Sequence, residues 1–222
     1  MGFLKNSKHK NLIISLTTII GLFMVIFYSI GIGNEGLPIY NPTDFNPELV
    51  DNSLKQTNNN HTVSDFNLIN QNGEMITQKD YENKIYVVDF FFTRCPSICP
   101  IMAINMEKLQ TTYQDDEEIK LLSISVTPTM DSVPILRDYA TKKGAIDTKW
   151  NLTTGNKKHI YDLARKSYFA VVDQGDGGLQ DFIHTPNFIL VDKEKRIRGV
   201  YDGTMDDEIE RIIQDIALLQ KE

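Results

Sequence analysis

The chain has 222 residues, 41% of them hydrophobic and 24% charged, an ordinary globular composition. Its 23 Lys and Arg against 30 Asp and Glu leave a net charge of −7, which argues against a nucleic-acid-binding surface, since that would need a basic stripe. With an N-terminal hydrophobic run and a polar stretch set aside, roughly 160 residues remain, enough for one domain with a full core and too few for two.

Residues 1–11 carry Lys5, Lys8 and Lys10. Residues 12–32, from Leu12 to Ile32, carry no charge, and an uncharged run of about 20 residues spans a bilayer as a helix. The preceding lysines put the N-terminus in the cytoplasm, which makes this a single-pass cell-membrane protein with its soluble part on the extracytoplasmic (periplasmic) side. The alternative is a cleaved signal peptide. The run is longer than a usual signal core, however, and no A-x-A-like site follows it. No cysteine follows the run closely enough for a lipoprotein anchor. A dithiol outside the membrane tends to be oxidised unless a donor reduces it or a metal occupies it. Residues 33–60, rich in Asn, Pro and Asp, read as a linker or an extended arm, and residues 61–222 as the domain.

Within the domain, Val63 to Ile69 is a weak strand, and Asn72-Gly73 turns into a second short one. Ile85 to Phe92 (IYVVDFFF) is a continuous apolar run, as in a central parallel strand buried on both faces. Ile98, Met102, Met106 and Leu109 form a helical stripe over Ile98 to Tyr113. Ile119 to Val126 is a second buried strand. A helix over Ser132 to Lys143 follows, with Asp131 as its cap and Gly144 as its stop. A short strand at Trp150 to Leu152, a helix over Lys157 to Ser167, strands at Phe188 to Val191 and Ile197 to Tyr201, and an amphipathic helix from Asp206 to Gln220 complete the chain. Alternating strands and helices give an α/β domain. The last hairpin followed by a helix predicts a thioredoxin-like fold, a central mixed sheet flanked by helices.

The chain has only two cysteines, in Thr93-Arg94-Cys95-Pro96-Ser97-Ile98-Cys99-Pro100, directly after the strongest strand and at the start of a helix. This spacing is about one helical turn, so both sulfurs can face one side. A helix N-terminus lowers thiol pKa through its free N–H groups and partial positive charge, favouring the thiolate that is both nucleophile and metal ligand. Pro96 and Pro100 lie where missing donors cost least. Two thiolates on a short arc suit a disulfide or a soft metal such as Cu(I). A structural zinc site would need more ligands than the pair offers. A disulfide that merely staples the loop remains the plain alternative.

Of the four histidines, His9, His61 and His159 read as exposed and silent. His184 stands in Ile183-His184-Thr185-Pro186, just before a strand. In a thioredoxin-like domain that loop packs against the cysteine loop, often through a cis-proline, for which Pro186 is the candidate. His184 there is either a third ligand in an S₂N site or a buried, hydrogen-bonded histidine. Asp89, inside the central strand, needs a partner. Met102 and Met106 read as core filling rather than as extra ligands, and Arg94 as a surface charge.

The segment Asp89 to Leu109, with Ser123 to Val126, Asp131 to Lys143, Leu152 to Gly155 and His184, resembles the Sco/SenC family over about Thr62 to Glu222. The resemblance implies a thioredoxin-fold copper chaperone for cytochrome c oxidase assembly. Its copper ion would be held by Cys95, Cys99 and His184, with Cys95 and Cys99 as a redox-active disulfide pair. The implied partners are the copper-site subunit of the oxidase and a thiol reductant or copper donor. Ser97 stands where the family usually has Asp, the stretch from Val126 to Asp131 lacks the usual Asp and Arg, and Thr185-Pro186 after the histidine is thioredoxin-like. Two enzymatic alternatives follow from the same residues. One is a thiol–disulfide oxidoreductase that keeps the oxidase copper-site cysteines reduced. The other is a peroxiredoxin-type peroxidase, disfavoured because Thr93 lies two rather than three residues before Cys95.

Overall fold

The computed structural model describes residues 15–24, 36–45, 61–171 and 182–222. The chain divides into two units, Met1–Gly36 and Leu37–Glu222. In the first, residues 15–24 are helical, with exposed side chains. No helix among the described residues is long and apolar enough to cross a membrane. The ends of the expected span over residues 12–32, and His9 before it, lie outside the described residues.

The second unit is built on a seven-stranded mixed sheet. Its strands are β1 (Asn67–Asn70), β2 (Met75–Thr77), β3 (Ile85–Phe91), β4 (Ile119–Ser125), β5 (Trp150–Thr154), β6 (Asn187–Val191) and β7 (Ile197–Asp202). Their order is β2-β1-β5-β4-β3-β6-β7. The central trio β5-β4-β3 is parallel, and the flanking pairs are antiparallel. All seven residues of β3 are buried, because helices or loops cover both faces. Alternation along β3 sends Ile85, Val87 and Phe91 into one core and Tyr86, Val88 and Phe90 into the other.

Three helices cover the first face: α1 (Ile98–Thr112), α2 (Val133–Lys142) and α4 (Asp206–Leu219). They contribute Met102, Met106 and Leu109, then Leu136 and Ala140, then Ile209, Ile212 and Ile216 to one cluster. Both methionines are 0% exposed and serve as packing. The second face carries α3 (Lys157–Asp162), which widens over Leu163–Ser167 into a π turn closed by the Tyr168 N–H on the Leu163 carbonyl. This is a mixed sheet with helices on both faces, the thioredoxin-like arrangement the element order suggests.

Several boundaries differ from expectation. The first strand begins at Asn67, not Val63; Val63 and Phe66 are instead buried ahead of it as plugs of the second core. Gly144, at φ +65°, does stop α2. Asp131 does not cap that helix: Ser132 occupies the N-cap position without a side-chain bond, and Pro134 in the first turn lacks an N–H that would need one. Residues 37–40 lie against the β6–β7 hairpin, and Phe45 packs on Phe169. Tyr40 bridges to Ile197, and buried Arg198 donates to the carbonyls of Leu37 and Pro38 while pairing with Asp192 and Glu222.

Candidate metal and thiol centre

β3 delivers the chain to the open end of the sheet, where Cys95 and Cys99 bracket the start of α1. Ser97, the N-cap residue, makes no side-chain cap. The Cys95 sulfur takes that place, accepting from the Cys99 N–H at 3.4 Å and lying 3.6 Å from the Ser97 hydroxyl. Both cysteines are buried free thiols, so the expected disulfide is not formed in this structure.

The two thiols are pushed in opposite directions. Burial pushes Cys95 up, but the Cys99 and Ser97 N–H groups, then the Cys99 thiol and His184, outweigh it and bring Cys95 down to about 6. Burial drives Cys99 far upward, with Cys95 and Asp89 adding to it and only the Phe92 backbone opposing. Cys95 therefore carries the thiolate near neutrality and Cys99 the proton.

His184 lies at the same mouth, its Nε2 3.8 Å from the Cys95 sulfur. His184 is exposed and lies beside the Phe92–Phe182 pair, whose rings meet edge-on at 5.0 Å, with its own centroid 6.1 and 6.3 Å from theirs. Ile183 before it and Thr185 after it are buried, so the backbone alternates and turns the imidazole outward. The loop holding His184 does not use a cis bond: Pro186 is trans, and no cis peptide occurs among the described residues. Three contacts seat it instead. The Thr185 hydroxyl and the Asn187 amide both donate to the Ala170 carbonyl, and the Gly203 N–H donates to the Pro186 carbonyl. Among the described residues, no three His, Cys, Asp or Glu side chains already stand close enough together to hold a metal. His184 and Cys95 are a pair of candidate ligands that the structure does bring together, 3.8 Å apart. Two sulfurs and an imidazole are a soft donor set, fit for Cu(I) and poor for a hard cation.

The other histidines sit elsewhere. His61 is not solvent-exposed as expected: it is half-buried, bonded to the Ser167 carbonyl at 2.7 Å and packed on Phe169 at 4.7 Å, and burial lowers its pKa. His159 is half-exposed and accepts from the Asn67 N–H at 3.4 Å. Arg94 is exposed.

Asp89 points into the face under α1. It accepts from the Ser123 hydroxyl at 2.5 Å, which in turn accepts from the Trp150 indole at 2.8 Å. Burial lifts its carboxyl to about 7 against that bond. A carboxyl raised in the folded state gives its full contribution below about pH 4 and loses it as pH rises through 7. Asp89→Asn keeps an acceptor for Ser123 and removes the charge. In urea titrations we expect the variant to gain about 2 kcal/mol on the wild type between pH 5 and pH 8; an equal difference at the two pH values would contradict this.

Sequence reasoning missed a second buried carboxylate, Asp131, which is 0% exposed. It accepts from Thr93 through both the hydroxyl (2.6 Å) and the N–H (3.2 Å), from the Ser125 hydroxyl (2.6 Å) and from the Thr127 hydroxyl (2.9 Å). It thus pins the approach to Cys95 to the end of β4. Asp131→Ala strands these donors and should cost about 3 kcal/mol in chemical denaturation. A loss below about 1 kcal/mol would mean that water replaces the carboxylate.

A family model described as SCO1/SenC matches residues 54–220. The chain belongs to the SCO1/SenC family. The SCO1 protein homolog of Bacillus subtilis is 29% identical over 159 residues, covering 71% of this chain and 82% of that protein. Among solved structures, a SCO1/SenC family lipoprotein from Bacillus anthracis is 31% identical with a TM-score of 0.64, over 72% of this chain and 96% of that one. BsSco, a member of the Sco family of cytochrome c oxidase assembly proteins in which a disulfide switch has been identified, is 28% identical with a TM-score of 0.61, over 72% and 94%. The matched range contains Cys95, Cys99 and His184.

Proposed function

We propose that this SCO1/SenC protein is a membrane-anchored copper chaperone that binds Cu(I) through Cys95, Cys99 and His184 and delivers it to the copper centre of a cytochrome c oxidase. The observation that carries this reading is the approach of the His184 imidazole to 3.8 Å from an acidified Cys95 sulfur. Burial of the loop as a whole would not require an exposed imidazole at that point. Binding Cu(I) displaces the proton of Cys99 and draws both sulfurs and the imidazole onto one ion. Three ligands leave a side of the cargo open, so an acceptor thiolate can add there and take the ion by successive ligand exchange. The anchor is the uncharged run over residues 12–32, with Lys5, Lys8 and Lys10 on the cytoplasmic side, placing the domain outside.

The split between the two thiols favours a second reading. A low-pKa Cys95 and a protonated Cys99 are the attacking and resolving pair of a thiol–disulfide oxidoreductase. That enzyme would keep the oxidase copper-site cysteines reduced and would draw electrons from a thiol reductant. Titration of the reduced protein with Cu(I) against bicinchoninate separates the two. The chaperone reading expects one tightly held ion and a loss of roughly 10- to 100-fold for His184→Ala. If His184→Ala leaves affinity unchanged while dithiol exchange stays fast, the oxidoreductase reading stands alone.

A further inference from the structure

We infer that Asn105 is a positioning residue for His184, acting from the cysteine-bearing helix through Gly203 and Pro186. Asn105 lies on α1 beyond Cys99 and is 2% exposed, one of two buried carboxamides, with Gln110, on a face otherwise made of Cys99, Met102, Ala103, Met106 and Leu109. Its amide donates to the Gly203 carbonyl at 2.8 Å. The Gly203 N–H in turn donates to the Pro186 carbonyl at 2.8 Å, two residues past His184. Gly203 thus ties the helix that carries Cys99 to the strand entry that carries the imidazole. Only glycine fits this position: a Cβ there would meet the Phe188 ring at 2.5 Å.

The tie matters because the imidazole itself has few contacts among the described residues. Among the described residues, the ring's one hydrogen-bonding contact is with Cys95, and its aromatic neighbours are Phe92, tilted to it, and Phe182, parallel to it. Its distance from the sulfurs is therefore set by its backbone. That backbone is held on one side by Ala170, through Thr185 and Asn187, and on the other by Gly203. The Ala170 contacts belong to the opposite core face; among the described residues, the Asn105–Gly203–Pro186 relay is the backbone route that references the His184 segment to α1, beside the imidazole's own contact with Cys95 and the pairing of β6 with β3 and β7. Asn105 touches neither sulfur nor imidazole, and it is remote in sequence from the segment it holds.

This inference rests on the copper reading for its functional meaning, and its test is built to separate the two. Asn105→Leu keeps side-chain bulk and removes the donor; Asn105→Ala serves if leucine overpacks. In the metal-free protein, backbone ¹⁵N order parameters at Ile183, His184 and Thr185 should fall from about 0.85 to below about 0.6, while those at Cys95 to Cys99 hold. With Cu(I) competed against bicinchoninate, the variant should lose about 10-fold in affinity, and the Asn105→Leu/His184→Ala double variant should bind no worse than His184→Ala alone. Unchanged order parameters at 183–185, or a double variant that loses the product of the two single losses, would overturn the inference. Should His184→Ala leave Cu(I) affinity intact, the copper reading falls, and the order parameters alone then decide the role of Asn105.

Discussion

At pH 7, iodoacetamide should modify the reduced protein once, at Cys95, with Cys99 slower by at least about 100-fold. With its pKa near 6, Cys95 is about nine-tenths thiolate at that pH. Cys99 is held in the opposite direction and stays a thiol, which does not attack. Mass spectrometry of the singly modified protein locates the adduct. The rate at Cys95 should climb through pH 6 and level off above about pH 7, because further base creates no more thiolate. In the urea-unfolded chain the helix N–H groups are gone, so both cysteines should react alike, with rates rising through about pH 8.5. The same shift is a stability term: the Cys95 thiolate contributes fully above its unfolded pKa, and the contribution disappears as pH falls through 6. Equal modification of both cysteines at pH 7 would refute the split. So would a Cys95 rate still rising tenfold from pH 7 to pH 8, which would show that the Cys99 and Ser97 N–H groups do not reach the sulfur in solution.

The parts of this site that were legible in the sequence are those set by local periodicity. The apolar run from Ile85, broken only by Asp89, marked a strand buried on both faces, and the stripe through Met102, Met106 and Leu109 marked the helix after it. Together they place Cys95 and Cys99 at a strand-to-helix junction, where the chemistry follows from the helix terminus. The misjudged residues depend on partners distant in the chain. Asp131-Ser132-Val133-Pro134 reads equally well with either Asp131 or Ser132 as cap. Thr93, brought in by β3, joins Ser125 and Thr127 at the end of β4 in turning the Asp131 side chain inward. His61 closes a polar stretch and looks exposed, yet Phe169 and the Ser167 carbonyl cover it from far along the chain. The π turn that presents that carbonyl carries no signal in a residue pattern compatible with an ordinary helix. Asn105 did leave a trace: a carboxamide on the buried stripe of α1 demands a partner, although the pattern could not name Gly203.

Replacing either cysteine by serine should reduce Cu(I) affinity by at least about 1000-fold, yet the two variants should differ in every other respect. A hydroxyl is a hard, protonated donor at neutral pH, so each substitution leaves one sulfur and one imidazole, too few soft ligands to retain the ion against bicinchoninate. In Cys99→Ser the acidified Cys95 survives, because the N–H groups that stabilise it belong to the backbone of Ser97 and of residue 99 itself. That variant should attack a small disulfide such as cystamine at neutral pH: its thiolate forms a mixed disulfide and expels one cysteamine thiolate. The adduct should accumulate, since no second thiol remains to resolve it. In Cys95→Ser the remaining thiol is the buried Cys99, still pushed up by desolvation and by Asp89. It should be inert to cystamine until the pH is well above 8. Adding Asp89→Asn to Cys95→Ser removes the nearby carboxylate and should bring the onset of reaction to lower pH, linking the buried acid to the second thiol. If Cys95→Ser traps the mixed disulfide as readily as Cys99→Ser, the assignment of attacking and resolving sulfurs is wrong. If either serine variant holds Cu(I) as tightly as the wild type, the two sulfurs do not share one ion, and the chaperone reading fails with them.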